Sequence, residues 1–235
     1  MNAPWLSSLS WCAVLACLGL LSAGCRHLPG GEAAAASQGA STEFTPQNYH
    51  QTTPWLPREL RRVAVLPLTT LTADALTEAG RDQLEQMLSV ELTRTELFEV
   101  VRVTPDQLRR WTGRPRWGVT DALPPDLLHR IEQQLGCDGV IFAELTAYRP
   151  YPPLAMGWKL HLVAADGTQV WWTSDVLYDA GNQTVARGAV RYEREYQAHR
   201  LPASDPATIL RSPGRFGQYT LAASLETLQR HEKNH

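Results

Sequence analysis

The chain has 235 residues, 22 basic and 24 acidic side chains, a formal net charge of −2 and 43% hydrophobic residues. With no global basic field, electrostatically driven nucleic-acid binding is excluded. A chain this long and this apolar can bury a sizeable core without covalent staples.

The first segment, Trp11-Cys12-Ala13-Val14-Leu15-Ala16-Cys17-Leu18-Gly19-Leu20-Leu21, has the length of a secretory apolar region and falls short of the roughly 20 residues of a spanning helix. Residues 1–24 therefore read as a signal peptide. The run ends in Leu21-Ser22-Ala23-Gly24-Cys25, which resembles the lipid-attachment site of bacterial lipoproteins. That resemblance implies cleavage before Cys25, acylation of its thiol and new amine, and anchorage to a lipid bilayer. Arg26 stands where many lipoproteins retained in the inner membrane have Asp, so the resemblance also implies the periplasmic side of the outer membrane. The competing reading is an ordinary secretory peptide cut near Ala23 or Gly24, leaving Cys25 a free thiol. Cys12 and Cys17 leave with the signal in either case. Once Cys25 is lipidated only Cys137 remains, so no intramolecular disulfide is expected.

Residues 25–57 read as a flexible tether, because the stretch from Gly30 to Thr42 is small and polar and no apolar period follows before Pro57. Such a tether has a root-mean-square span of roughly 30 Å and an extended limit of about 105 Å. Trp55 and Leu56 are expected to pack already on the edge of the body, a single domain over 58–235.

The body opens with Arg61-Arg62-Val63-Ala64-Val65-Leu66-Pro67-Leu68, a continuous apolar run suited to a strand covered on both faces. Leu76, Gly80, Leu84, Leu88 and Leu92 then recur every four residues and predict a helix of about five turns, with Arg81, Glu85 and Glu91 mostly off the apolar stripe. Leu97 to Val103 is a second strand. Thr104-Pro105-Asp106-Gln107 predicts a capping box with proline at the first helical position. A helix from Pro125 to Leu135 follows, closed by Gly136, and it feeds an apolar strand from Asp138 to Leu145. Segments 157–163 and 169–174, joined across Asp166-Gly167, predict a hairpin. Helices are expected over 182–200 and 213–232, with 201–211 a surface connection.

This order predicts an α/β fold: a mixed sheet built as βαβαβ, followed by an antiparallel β-hairpin and C-terminal helices. The segments Val63-Ala64-Val65-Leu66-Pro67, Leu97-Phe98-Glu99-Val100-Val101 and Leu135-Gly136-Cys137-Asp138-Gly139-Val140-Ile141 resemble a superfamily of bacterial envelope proteins. It includes the curli-secretion lipoprotein, the lipoprotein activator of peptidoglycan synthases and the amino-terminal domain of the Tol-system propeller protein. The resemblance covers about residues 61–178 and implies fold and compartment rather than a catalytic signature.

Active-site chemistry is sparse. The histidines at 27, 50, 129, 161, 199, 231 and 235 fall in no metal-ligand spacing, and neither a nucleophile elbow nor a phosphate loop is present. Asp138 and Asp166 sit where turns call for aspartate, and a pair such as Asp175 and Asp179 arises in any chain this size. No enzyme activity, cofactor or metal is therefore expected. Two stretches are candidate binding surfaces. In 109–118, Arg110, Arg114 and Arg116 alternate with Trp111 and Trp117, a pattern that can stack on and hydrogen-bond to anionic or carbohydrate surfaces. The bland alternative is indoles covering the short helix beneath solvated arginines. In 148–156, Tyr148, Tyr151 and three prolines make a rigid loop suited to a protein contact, or one that merely blocks edge pairing. The main expectation is a non-catalytic outer-membrane lipoprotein whose body acts on another envelope protein as scaffold or activator. The alternatives are a subunit of an oligomeric export channel of curli-secretion type, which would make the chain a homo-oligomer, and an enzyme acting on wall glycan.

Overall fold

The computed structural model describes residues 44–71, 76–197 and 205–228, all within one compact unit, Thr42–His235. Cys25, the signal peptide and most of the expected tether lie outside the described residues.

The strands are β1 (Tyr49–Gln51), β2 (Arg62–Val65), β3 (Thr69–Thr70), β4 (Glu99–Arg102), β5 (Gly139–Arg149), β6 (Ala155–Ala164) and β7 (Val170–Asp179). The helices are α1 (Glu78–Arg94), α2 (Pro105–Thr112), α3 (Leu127–Leu135), α4 (Gln183–Gln197) and α5 (Pro213–Leu225), with a 3-10 turn at Pro206–Arg211. The sheet runs β1-β7-β6-β5-β2-β4, with β3 also on β5. β4, β2 and β5 are parallel, and β5, β6, β7 and β1 are antiparallel. This is the predicted mixed α/β sheet with its hairpin and C-terminal helices.

The local signals act as chemistry requires. Thr104 Oγ1 accepts the Gln107 N–H at 3.2 Å, while the Gln107 side chain accepts the Thr104 N–H at 2.9 Å. Gly136 ends α3 at φ +60°, a left-handed conformation that costs any other residue a Cβ clash. Asp138 Oδ2 accepts both the Arg61 and Arg62 N–H groups at 2.9 Å, pinning the start of β5 beside β2.

Two cores flank the sheet. The larger joins α1, α4 and α5 to one face and includes Leu88, Leu92, Trp158, Trp172, Tyr178 and Phe216, each under 2% exposed. The smaller packs α2 and α3, through Leu108, Leu127 and Ile131, onto Ala64, Leu66, Val140 and Phe142 on the opposite face.

The structure differs from the sequence expectation at four places. The expected tether does not extend to residue 57: Tyr49–Gln51 pair with Trp172–Ser174 and Phe44 packs edge-on against Tyr178, while Leu56 is buried as expected and Trp55 is 45% exposed. Those contacts are made by backbone and isolated rings, which leave no apolar period. The connection before α5 holds a 3-10 turn with Ile209 fully buried. Arg81, Glu85 and Glu91 are buried, the first two against Leu68 and the third against Gln218 of α5. Glu85 accepts the Leu68 N–H at 3.0 Å, and Glu91 takes Arg94 at 2.6 Å and Gln218 at 2.9 Å. Finally, β5 runs on to Arg149 and β6 begins at Ala155, so Tyr148 and Met156 belong to strands and only the tip between them is loop.

Candidate functional site

The arginine and tryptophan segment is internally satisfied. Trp117 is 7% exposed, and its Nε1 donates to Thr112 Oγ1 at 2.9 Å. The Arg114 guanidinium lies 4.2 Å from the Trp117 ring centroid and bonds Asp121 at 3.1 Å. Arg116 pairs with Glu78 at 2.8 Å across to α1. Trp111 is half-buried against the smaller core, and Arg110 alone of the three predicted arginines is exposed without a recorded partner among the described residues. Trp117 thus closes the end of α2 with Arg114 stacked over it, while Trp111 stays half-buried and Arg110 exposed.

The second segment presents more. Tyr151 stands 76% exposed at the tip between β5 and β6. The tip is held from both sides: Arg149 bonds Asp179 at 2.7 Å, and its Nε donates to the Pro153 carbonyl. Tyr148 points at the larger core, and burial raises its phenol above the ordinary range. The Gly181 N–H, together with Arg149, holds Asp179 below the usual carboxylate range.

A surface that sequence reasoning passed over adjoins this tip. Among the described residues, the face of β6 and β7 opposite the larger core carries Lys159, His161 and Thr173, each half-buried, and Asp175 and Leu177, both exposed. Cross-strand neighbours put Glu144, Lys159 and Asp175 in one row, His161 beside Thr173, and Leu177 beside Gly157. Leu177 is 56% exposed. Burial raises the Glu144 carboxyl, with Lys159 pulling it down and Asp121 and Asp175 pushing it up. Burial and then Lys159 lower His161, against Asp175. The alternation polar-out, apolar-in along 157–163 carried this signal.

The other groups with chemical potential have structural duties. Burial raises the thiol of Cys137, a free cysteine 1% exposed. Asp166 accepts the Thr168 N–H and hydroxyl in the hairpin turn. Among the described residues no three His, Cys, Asp or Glu gather as a metal site, and no helix is long and apolar enough to cross a membrane.

No family model and no curated protein matches the sequence. Solved structures of similar chain path include the PelC dodecamer from Paraburkholderia phytofirmans, at 15% identity over 78% of this chain and 98% of that one, TM-score 0.43. Lipoprotein GNA1162 from Neisseria meningitidis matches at 16% identity over 60% of this chain and 98% of its own, TM-score 0.40. The LpoB C-terminal domain from Escherichia coli matches at 14% identity over 50% of this chain and 82% of its own, TM-score 0.33. Each likeness is one of chain path alone.

Proposed function

We propose that the chain is a non-catalytic lipoprotein of the outer membrane, anchored through acylated Cys25, whose α/β body docks another envelope protein as scaffold or activator. The observation that carries this reading is the Leu21-Ser22-Ala23-Gly24-Cys25 motif directly after a signal-length apolar run. The fold supports it in two ways. Phe44 packs against Tyr178 within the body, so a chain anchored at Cys25 joins it through the eighteen residues 26–43, whose covalent limit is about 60 Å at roughly 3.3 Å each. Second, the rigid Tyr151 tip and the open face around Leu177 offer exposed apolar groups beside charged ones, a composition suited to a protein contact.

The open face argues against the export-channel reading in this form. A lipid-facing hairpin needs an unbroken apolar face, and the outward residues of β6 and β7 include Lys159, His161 and Asp175.

Mass spectrometry of the mature amino terminus tests the anchor. The expected species begins at a triacylated Cys25, and Cys25→Ala leaves the protein soluble in the periplasm. An unmodified amino terminus, or cleavage elsewhere, overturns it. A photo-crosslinking residue in place of Pro150, beside Tyr151, is expected to trap a discrete partner that one in place of Arg109 does not.

A further inference from the structure

β4 ends the strand order opposite β1, and its outer edge has no neighbouring strand among the described residues. Glu99 and Val103 donate their N–H groups to the Arg61 and Val65 carbonyls along β2, at 2.7 and 2.9 Å. Backbone groups alternate in direction along a strand, so the N–H and C=O of Val100 and Arg102 point outward. Among the described residues nothing donates to them or accepts from them. Neither a proline nor a bulge interrupts Glu99–Arg102, the devices that commonly close such an edge.

Beside that edge runs a groove of about 420 Å³ between β4 and α1. Its helix wall is Gln86, Ser89, Val90 and Thr93, whose spacing puts four uncharged side chains on one face. Ser89 and Thr93 turn their hydroxyls back onto the Glu85 and Ser89 carbonyls, at 3.0 and 2.8 Å, so neither needs a partner from outside. Val90 is 43% exposed, and Val100 across the groove is half-buried. The charged lining groups are Arg94 and Arg102. Both are paired, Arg94 with Glu91 at 2.6 Å and Arg102 with Glu85 at 3.6 Å. In each pair the carboxylate is buried and the guanidinium is more than 40% exposed, so both pairs turn their cations outward. A guanidinium carries five N–H donors, more than one carboxylate occupies.

An extended peptide is the ligand that fits these features together. Main-chain bonds to Val100 and Arg102 hold it, and every second side chain falls on the groove side. There an apolar group meets Val90 and Val100, and a carboxylate meets Arg102. We propose that β4 is a docking edge for an extended segment of a partner protein, apolar and acidic in alternate positions, which joins the sheet as an added strand. A second copy of the chain is a poorer occupant. Two-fold pairing of β4 with itself brings the same face of both edges together, so cations meet cations. Glu99 cannot relieve this, since it lies on the opposite face of the strand, 3.2 Å from Arg62. The proposal rests neither on the acylation of Cys25 nor on the Tyr151 tip.

Backbone amide titration of the mature protein reads the edge directly. The probe is a blocked heptapeptide in which threonine alternates with valine, aspartate and valine, a composition suited to an extended strand. It is expected to move the Val100 and Arg102 amide signals and to slow their hydrogen exchange. The same peptide with its threonine nitrogens methylated cannot form the ladder and is expected to leave both signals in place. With lysine for aspartate, binding is expected to weaken about fivefold, the order of one exposed ion pair exchanged for a like-charge contact. Arg102→Gln is expected to narrow that difference. Val100→Pro removes an outward N–H without touching the bonds to β2, and is expected to weaken every peptide. Absence of shifts overturns the proposal, as does equal binding of the methylated peptide, which would mean side-chain contact alone. Equal binding of the aspartate and lysine peptides overturns the acidic assignment. Loss of these amide signals with protein concentration alone, accompanied by a dimer mass, would give the edge to a second copy and overturn the partner reading.

Discussion

The sheet has two halves that meet at β5, and they solve the same backbone problem under different side-chain demands. In the parallel half both faces are covered: Val63 and Ala64, adjacent in β2, are both fully buried, one in each core. Parallel strands need crossover helices, and those helices roof both faces. The antiparallel half returns by hairpins and keeps one face open, so β7 alternates buried and exposed residues from Trp172 to Tyr178. The parallel half is therefore covered on both faces, whereas the antiparallel half has one face less covered among the described residues. Adjacent positions on β6 test this most severely. Trp158 is fully buried and donates to Thr220 Oγ1 at 2.9 Å, so Trp158→Ala is expected to cost about 3–5 kcal/mol. Lys159→Ala, one residue along, is expected within about 0.5 kcal/mol. Urea unfolding of both variants checks it, and comparable losses would break the distinction between the two faces.

The second core gives the next largest effects. Ile131 is fully buried under α3, and its truncation to alanine is expected to cost about 2–5 kcal/mol. A loss below 1 kcal/mol would show that the smaller core contributes little. Thr104→Ala removes one half of the capping box of α2, for about 1 kcal/mol. Restoration by Thr104→Ser would assign that loss to the cap.

The same division explains what the sequence reveals. Covered strands are legible because continuous apolar runs such as Val63 to Leu66 admit few other interpretations, and Gly136 and the Thr104 box are short-range signals whose physics is local. β1 has no such mark: Tyr49, His50 and Gln51 are held by backbone bonds to β7, which any residue can make. Glu85 and Glu91 look solvent-facing on a helical wheel, and only partners from outside the helix, the Leu68 N–H and Gln218 of α5, make them interior. Of the candidate binding residues, Tyr151 is exposed as its loop composition suggested. Trp117 is enclosed, since composition cannot show that Thr112, five residues earlier, receives its indole N–H.

A smaller effect separates the open face from ordinary solvent. His161 is held below its usual value by burial and by Lys159, with Asp175 opposing. Its neutral form is the one the fold favours, so the unfolded chain takes up a proton first as pH falls through about 6.5. Stability is expected to decline from there downward, until the folded state is protonated too. Glu144, raised by burial, acts in the opposite sense nearer its own titration, and it does so in both proteins compared. His161→Gln should therefore lose less stability than the parent between pH 7.5 and 5.5, read from urea midpoints. An equal decline would mean that the open face is solvated like any exposed surface.

The smallest expected change in stability falls on the residue for which the largest functional change is proposed. Tyr151 touches neither core, and the tip that bears it is fixed by Arg149 through Asp179 and the Pro153 carbonyl. Tyr151→Ala is expected to leave the unfolding midpoint within about 0.5 kcal/mol of the parent. An aromatic ring held rigidly in water gives up little conformational freedom on contact, which is why such residues anchor interfaces. Loss of the crosslinked partner without loss of stability would place docking at this tip. Substituting Arg149 supplies the converse arm: Arg149→Met keeps Tyr151 but frees the tip, and weaker capture there would show that rigidity, and not the ring alone, serves binding. If Tyr151→Ala captures the partner as well as the parent does, the recognition surface lies elsewhere, and the open face around Leu177 and Lys159 becomes the region to substitute next.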